Sequence, residues 1–244
     1  MPSNPQKIDR ISQGQRPNVR CDGTQSWRSL LFCHWEVDCE TLRPLIPDCF
    51  EIDTFDGAAF IATVPFKMQA IRPSWLPKSL ALNFLETNVR TYVVHKGQPG
   101  VYFLSLDANS RLAVWAARVG WSLPYHFATM KSEESHEQQV YESRRINGSG
   151  THRVAYRIEK ELGLSRPGTL EHFLMERYLL FVERRGQPLV GQVHHSPYRT
   201  FSAHVDQIED ELLDCAGVAG ISRLPDLAHY SPGVDVEVFG IRPA

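Results

Sequence analysis

Between residues 51 and 241 the chain is cut into short alternating apolar and polar segments by Gly, Pro and Asn. That is the pattern of a mainly antiparallel sheet rather than of repeating βαβ units. Residues 51–55 and 58–66 read as two strands joined by Asp56-Gly57, a strong hairpin signal. Residues 84–94 and 100–107 form a second pair across His95-Lys96-Gly97-Gln98-Pro99, and residues 138–146 and 151–159 a third across Asn147-Gly148-Ser149-Gly150. Residues 179–183 and 189–195 turn through residues 184–188, and residues 235–241 read as the last strand. Helical spacing is confined to three short stretches: residues 38–47 with Asp38 as cap, residues 110–119, and residues 170–178.

The 244 residues suffice for one large domain, and neither a repeat nor an internal linker divides them. With 26 Lys plus Arg against 28 Asp plus Glu, no global field favours nucleic acid or acidic lipid. The longest uncharged apolar stretch, residues 57–66, is about half of the roughly 20 residues that a membrane-spanning helix needs. The first 18 residues lack an apolar core and so do not form a secretory signal. We therefore expect a cytoplasmic protein with a flexible tail over residues 1–20 and one domain over residues 21–244. Cys21, Cys33, Cys39, Cys49 and Cys215 are odd in number and irregularly spaced, which predicts reduced thiols and neither a metal site nor a disulfide framework. No cofactor motif is present: G-x-G-x-x-G, G-x-x-x-x-G-K and G-x-S-x-G are all absent.

Residues 84–94 carry the strongest chemical signal. Alternation places Phe84, Glu86, Asn88, Arg90 and Tyr92 on one face and Leu85, Thr87, Val89, Thr91 and Val93 on the other. Turned to water, the polar face is an ordinary strand surface. Turned inward, its charges need partners or a ligand. Tyr125 and His126 set a phenol beside an imidazole, suited to hydrogen-bond donation and to acid or base work near neutral pH, although a turn with a solvated His has the same sequence. Arg177 falls on the apolar stripe of residues 170–178 and needs a counter-charge, either a carboxylate such as Glu86 or an anionic ligand. His194 and His195 alternate across a strand and so do not converge on one metal.

Seven blocks in order, WRSLLFCHWEVDCETLRPLIP, DTFDGAAFIATVPFKM, FLETNVRTYV, GQPGVYFLSLDA, AARVGWSLPY, GTLEHFLMERY and GQVHHSPY, resemble the YqjF-like family of uncharacterised bacterial proteins from about Trp27 to Ile241. That family is similar, more distantly, to the acetoacetate decarboxylase superfamily. The resemblance implies an α+β fold: a cone-shaped, mostly antiparallel β-barrel with a few short helices around a small-molecule cavity. In the decarboxylases one segment reads approximately G-R-E-x-x-G-[FW]-P-K-K-L-A, and its first lysine is the Schiff-base nucleophile, activated by a cationic neighbour. Here Arg118, Pro124 and Ala128 match while Tyr125 and His126 replace the two lysines; Lys67 and Lys131 are nearby but off the motif. A phenol cannot form an imine, so the superfamily's signature reaction lacks its nucleophile.

Glu86 falls where the decarboxylases have an acidic cavity residue, which turns the polar strand face inward. The resemblance thus implies a small polar or carboxylate-bearing ligand, bound without a cofactor or metal by Asn88, Arg90, Arg118 and Arg177. The alternatives are a lyase, isomerase or hydrolase with His126 or Glu86 as general base and Tyr125 as donor, and a non-catalytic homo-oligomeric scaffold with a solvated polar face.

Overall fold

Residues 8–121 and 123–244 are described by a computed structural model. Its strands are β1 (Gly23–Val37), β2 (Glu51–Ile52), β3 (Ala59–Pro73), β4 (Leu82–His95), β5 (Gln98–Ala108), β6 (Tyr125–Glu134), β7 (Gln139–Arg145), β8 (Thr151–Leu164), β9 (Leu179–Arg184), β10 (Gln187–His194), β11 (Arg199–Asp210) and β12 (Leu227–Pro243). Its α-helices are α1 (Cys39–Leu42), α2 (Arg111–Trp121), α3 (Leu170–Met175) and α4 (Leu212–Cys215).

Tight turns set the antiparallel pairing. Asp56-Gly57, Lys96-Gly97 and Arg185-Gly186 all take positive φ at both central positions, the geometry whose twist matches that of the flanking strands. The linker expected over residues 95–99 therefore shrinks to Lys96-Gly97, because His95 pairs with Gln98 and Val94 with Pro99. Gly233 is required for a different reason: at φ +128° a Cβ there would lie 2.0 Å from the Trp27 carbonyl, where β12 crosses the bulge of β1 at Ser29.

The strands form a 12-stranded sheet in the order β10-β9-β5-β6-β7-β8-β11-β12-β1-β3-β4-β2, and two further pairings, β10 with β12 and β4 with β5, close it on itself. One closed path runs β12-β1-β3-β4-β5-β9-β10 and back to β12. A second leaves β5 through β6, β7, β8 and β11 and returns to β12. Only β5 with β6 and β5 with β9 are parallel among the described ladders.

The shared strands β12, β1, β3, β4 and β5 therefore have an interior on each side. Leu30 and Phe32 join one apolar cluster with Phe66, Phe84 and Phe173, whereas Leu31, Cys33 and Trp35 join another with Val89, Val93, Tyr141 and Phe181. Burial on both faces hides the alternation that sequence reading relies on. For that reason β1 escapes a reading by period. The Tyr125-His126 segment, which could have been a turn, opens β6.

Two expectations change. Part of the expected tail is held on the sheet: the Asp9 amide donates to Gly97, Arg10 forks onto Asp53 at 2.7 and 2.6 Å, Gln13 is buried and Arg16 pairs with Glu237, whereas Asn18, Val19 and Arg20 are exposed. Residues 1–7 of that expected tail fall outside the described residues. Asp38 makes no side-chain cap, and the helix expected over residues 38–47 reduces to α1 and one 3-10 turn. Thr169, by contrast, caps α3 by accepting from the His172 amide. Among the described residues no helix is long and apolar enough to cross a membrane.

Candidate functional site

Inside the first closed path lies a cavity of about 440 Å³. Strand β4 supplies its polar row, because the residues of one parity all point to this side. The register with β3 orders that row: Met68 is opposite Phe84, Phe66 opposite Glu86, Val64 opposite Asn88 and Ala62 opposite Arg90. One end is framed by the start of β1, the end of β3 and the inner face of α2, including Thr24, Ile71, Leu82, Ala113 and Ala117. The other is closed around Arg90 by Phe32, Val101, Tyr198 and Arg177.

Glu86 is 3% exposed and accepts a hydrogen bond from Tyr125 Oη at 2.8 Å. Burial pushes its pKa from an ordinary 4.5 up to about 8; the Tyr125 hydrogen bond opposes this and the Asp107 charge adds to it. At neutral pH the carboxyl is thus held mainly in its neutral form. The Tyr125 phenol is also driven up, first by burial and then by the Glu86 charge. Asn88 is buried next along the row, and its Oδ1 has no hydrogen-bond partner.

Arg90 is 9% exposed, yet among the described residues it has no ion pair and makes one hydrogen bond, from Nη2 to the Leu174 carbonyl at 3.2 Å. Its Nε has no partner. The guanidinium lies 5.3 Å from the Phe32 ring centroid and 5.7 Å from that of Tyr92, contacts that offset part of its desolvation. An interior guanidinium with so little compensation is costly unless an anion completes it.

Arg177 differs. Its Nη1 donates to Asp53 Oδ2 at 2.7 Å and its Nε to the Phe173 carbonyl at 2.6 Å, so its counter-charge is Asp53 and not Glu86. Arg10 shares the same carboxylate. Asp53 is therefore the residue that sequence reading missed, since it sits beside a two-residue strand with nothing local to mark it as a partner for a residue 124 positions away.

His126 does not join the cavity. It follows Tyr125 on β6 and so takes the opposite face, half-buried, where burial and the charges of Arg145 and Arg118 lower its pKa against the pull of Asp107. Arg118 is exposed on α2 and donates from Nε to the Tyr125 carbonyl at 2.7 Å, which ties the helix to the start of β6. Of the residues expected at the site, Glu86, Asn88, Arg90, Tyr125 and Arg177 line the cavity, while His126 and Arg118 stand outside it. A solvated polar face on β4, which the scaffold reading required, is ruled out by the burial of Glu86, Asn88 and Arg90.

No lysine lines the cavity among the described residues. Lys67 lies on the other face of β3 and pairs with Glu134 at 2.7 Å; Lys131 is exposed. The chamber therefore offers acid, phenol, amide and guanidinium, and no amine nucleophile.

Residues 24–235 match DUF2071, a family described as uncharacterized conserved protein. The uncharacterized protein YqjF of Bacillus subtilis (strain 168) is 37% identical over 220 residues, covering 89% of this chain and 90% of its own. Among solved structures, the enduracididine biosynthesis enzyme MppR complexed with pyruvate superposes with a TM-score of 0.64 at 13% identity, covering 95% of this chain and 94% of its own. Acetoacetate decarboxylase from Legionella pneumophila gives 0.64 at 12% identity over 100% and 98% of the two chains. An acetoacetate decarboxylase-like enzyme from Sphingomonas wittichii RW1 gives 0.63 at 12% over 93% and 94%. At these identities the solved structures establish the fold, which is acetoacetate decarboxylase-like.

Proposed function

The chain belongs to the DUF2071 family, and on that premise we propose that it binds a small carboxylate-bearing molecule in the β4 cavity, with Arg90 as the carboxylate anchor. The observation that carries this is the buried guanidinium of Arg90 with no ion pair among the described residues. A ligand carboxylate would supply the missing charge through charge-assisted hydrogen bonds, which are strongest where water is excluded. Tyr125 and the neutral Glu86 would then hydrogen-bond a second ligand oxygen or simply close the wall. The absence of lysine from the described lining argues against imine chemistry at this site.

A second reading, in which the protein is a lyase, isomerase or hydrolase, draws on one specific observation. A carboxyl with its pKa near 8 and a phenol bonded to it has the tuning of a general acid or base at neutral pH. In that reading the base is Glu86 alone, because His126 faces away from the cavity. The near-neutral charge of the chain and its free cysteines support placing the protein in the cytoplasm, with a small molecule rather than nucleic acid as its partner.

Thermal unfolding of the wild type and of Arg90→Met with a panel of small carboxylates tests the anchor. A carboxylate at 100 times its Kd should stabilise the wild type by about 2.7 kcal/mol and leave Arg90→Met unmoved. Equal responses in both proteins, or none in either, would remove Arg90 from the role. Borohydride treatment with acetoacetate should leave the protein mass unchanged; a covalent adduct on a lysine would overturn the exclusion of an imine.

A further inference from the structure

The cavity is long, with Arg90 near one end, a polar mouth of Asp22, Thr24, Gln25 and Arg72 near the other, and hydrocarbon wall between them. Strand β4 rises about 3.4 Å per residue, so the row from Phe84 to Arg90 spans about 20 Å. Arg90 is turned toward the far end: its Nη2 and the Tyr92 Oη both donate to the Leu174 carbonyl, at 3.2 and 2.9 Å, and Tyr92 is the next residue of the row beyond it. Toward the α2 end the wall includes Phe66, Met68, Ile71, Leu82, Phe84 and Leu123, below a mouth that Asp22, Thr24, Gln25 and Arg72 also line. On α2 the lining positions Ala113, Ala116 and Ala117 are small and lie between Leu112 and Trp121, which also line the cavity. Its volume of about 440 Å³ lies in the range of roughly 300–1,000 Å³ that holds drug-sized ligands, well beyond what the smallest organic acids fill.

Building on the carboxylate reading above, we propose that the occupant is a medium-chain aliphatic monocarboxylic acid, its head on Arg90 and its hydrocarbon tail running past Asn88 and Glu86 to the underside of α2. Glu86 does not oppose such a ligand. Tyr125 occupies one of its oxygens, and burial keeps the carboxyl neutral near pH 7, so neither the anionic head nor the passing tail meets a second negative charge there. An acid of two to four carbons bound at Arg90 would leave Phe66, Met68, Leu82, Phe84 and Leu123 without contacts.

The test is isothermal titration of the full chain with straight-chain carboxylates from acetate to decanoate, the matching primary alcohols, and pyruvate and acetoacetate as short oxo acids. Affinity should rise about fourfold per methylene beyond butyrate until the tail fills the cavity, and then stop rising. Ala117→Phe should move that stopping point to a shorter chain; Ala113→Leu serves the same purpose if the larger substitution unfolds the helix. Arg90→Met should abolish carboxylate binding at every length, and the alcohols should bind more weakly than their acids. Acetate, pyruvate or acetoacetate binding as tightly as octanoate would overturn the elongated ligand and leave the carboxylate anchor standing. Alcohols binding as well as acids would overturn both the head assignment and the anchor. Failure of every carboxylate to bind would overturn the two together.

Discussion

Replacing Glu86 with Gln removes one ionisation from the interior and retains a side chain that can accept from Tyr125. In the unfolded chain the carboxyl loses its proton near its ordinary pKa of 4.5, and in the folded chain only near 8. Between those values the native state holds a proton that the unfolded state has released, so wild-type stability falls as pH rises, by about 1.4 kcal/mol per pH unit. Below pH 4.5 both states are protonated and the term vanishes; above pH 8 both are ionised and the loss is complete, at up to about 5 kcal/mol. Glu86→Gln lacks this slope. Urea unfolding of both proteins from pH 4 to pH 9 should therefore give free energies whose difference is constant near pH 4, widens in favour of the variant to about 3 kcal/mol by pH 7, and levels above pH 8. Parallel curves across that range would show that the Glu86 carboxyl titrates normally, either hydrated or paired with Arg90, and the account of the cavity as dry and uncompensated at that point would fail.

Arg90→Met in the ligand-free protein should not lower stability and should raise it by about 1 kcal/mol or more, since an apolar chain of similar volume replaces a poorly compensated charge and Tyr92 still satisfies the Leu174 carbonyl; a loss above roughly 2 kcal/mol by urea unfolding would reveal a counter-charge in the native state. Arg145→Met strands the fully buried Asp107, which Arg145 grips through Nε and Nη2 at 2.8–3.0 Å, and should cost about 3–5 kcal/mol, largely recovered in Arg145→Met/Asp107→Asn. Gly233→Ala should cost about 2 kcal/mol or more, because the backbone of Trp27 must move to admit a Cβ; a Tm equal to the wild type would contradict the close crossing of β12 and β1. Lys67→Met, which breaks a half-exposed pair with Glu134, should change stability by less than about 1 kcal/mol and leave ligand responses unaltered.

Turn chemistry and period made much of the fold legible in the sequence. Asp56-Gly57 and the Gly97 within residues 95–99 mark hairpins because Gly takes the positive φ of the second turn position without steric cost, and the helical spacing of residues 110–119 marks α2. Where a strand is buried on both faces the period disappears, and so the second half of β1 carries no alternation, whereas β3 and β12 extend beyond the residues read as strand through segments that are only partly buried. The polar row of β4 was legible as a row, since alternation is a covalent property of an extended chain.

Its direction was not. Glu86, Asn88 and Arg90 would show the same alternation facing water, and only the closure of β12, β1, β3, β4, β5, β9 and β10 into a ring encloses them. Tyr125 and His126 are adjacent in the chain and are separated by the pleat, one turned to the cavity and the other away from it. Two of the buried arginines make the same point: Arg177 stands on an apolar stripe and Arg90 in a polar row, and long-range folding brought Asp53 to Arg177 but, among the described residues, no carboxylate to Arg90. Chain chemistry determined which groups were available; the energetics of taking them out of water, and hence which one still wants a ligand, were decided by contacts between residues far apart in sequence.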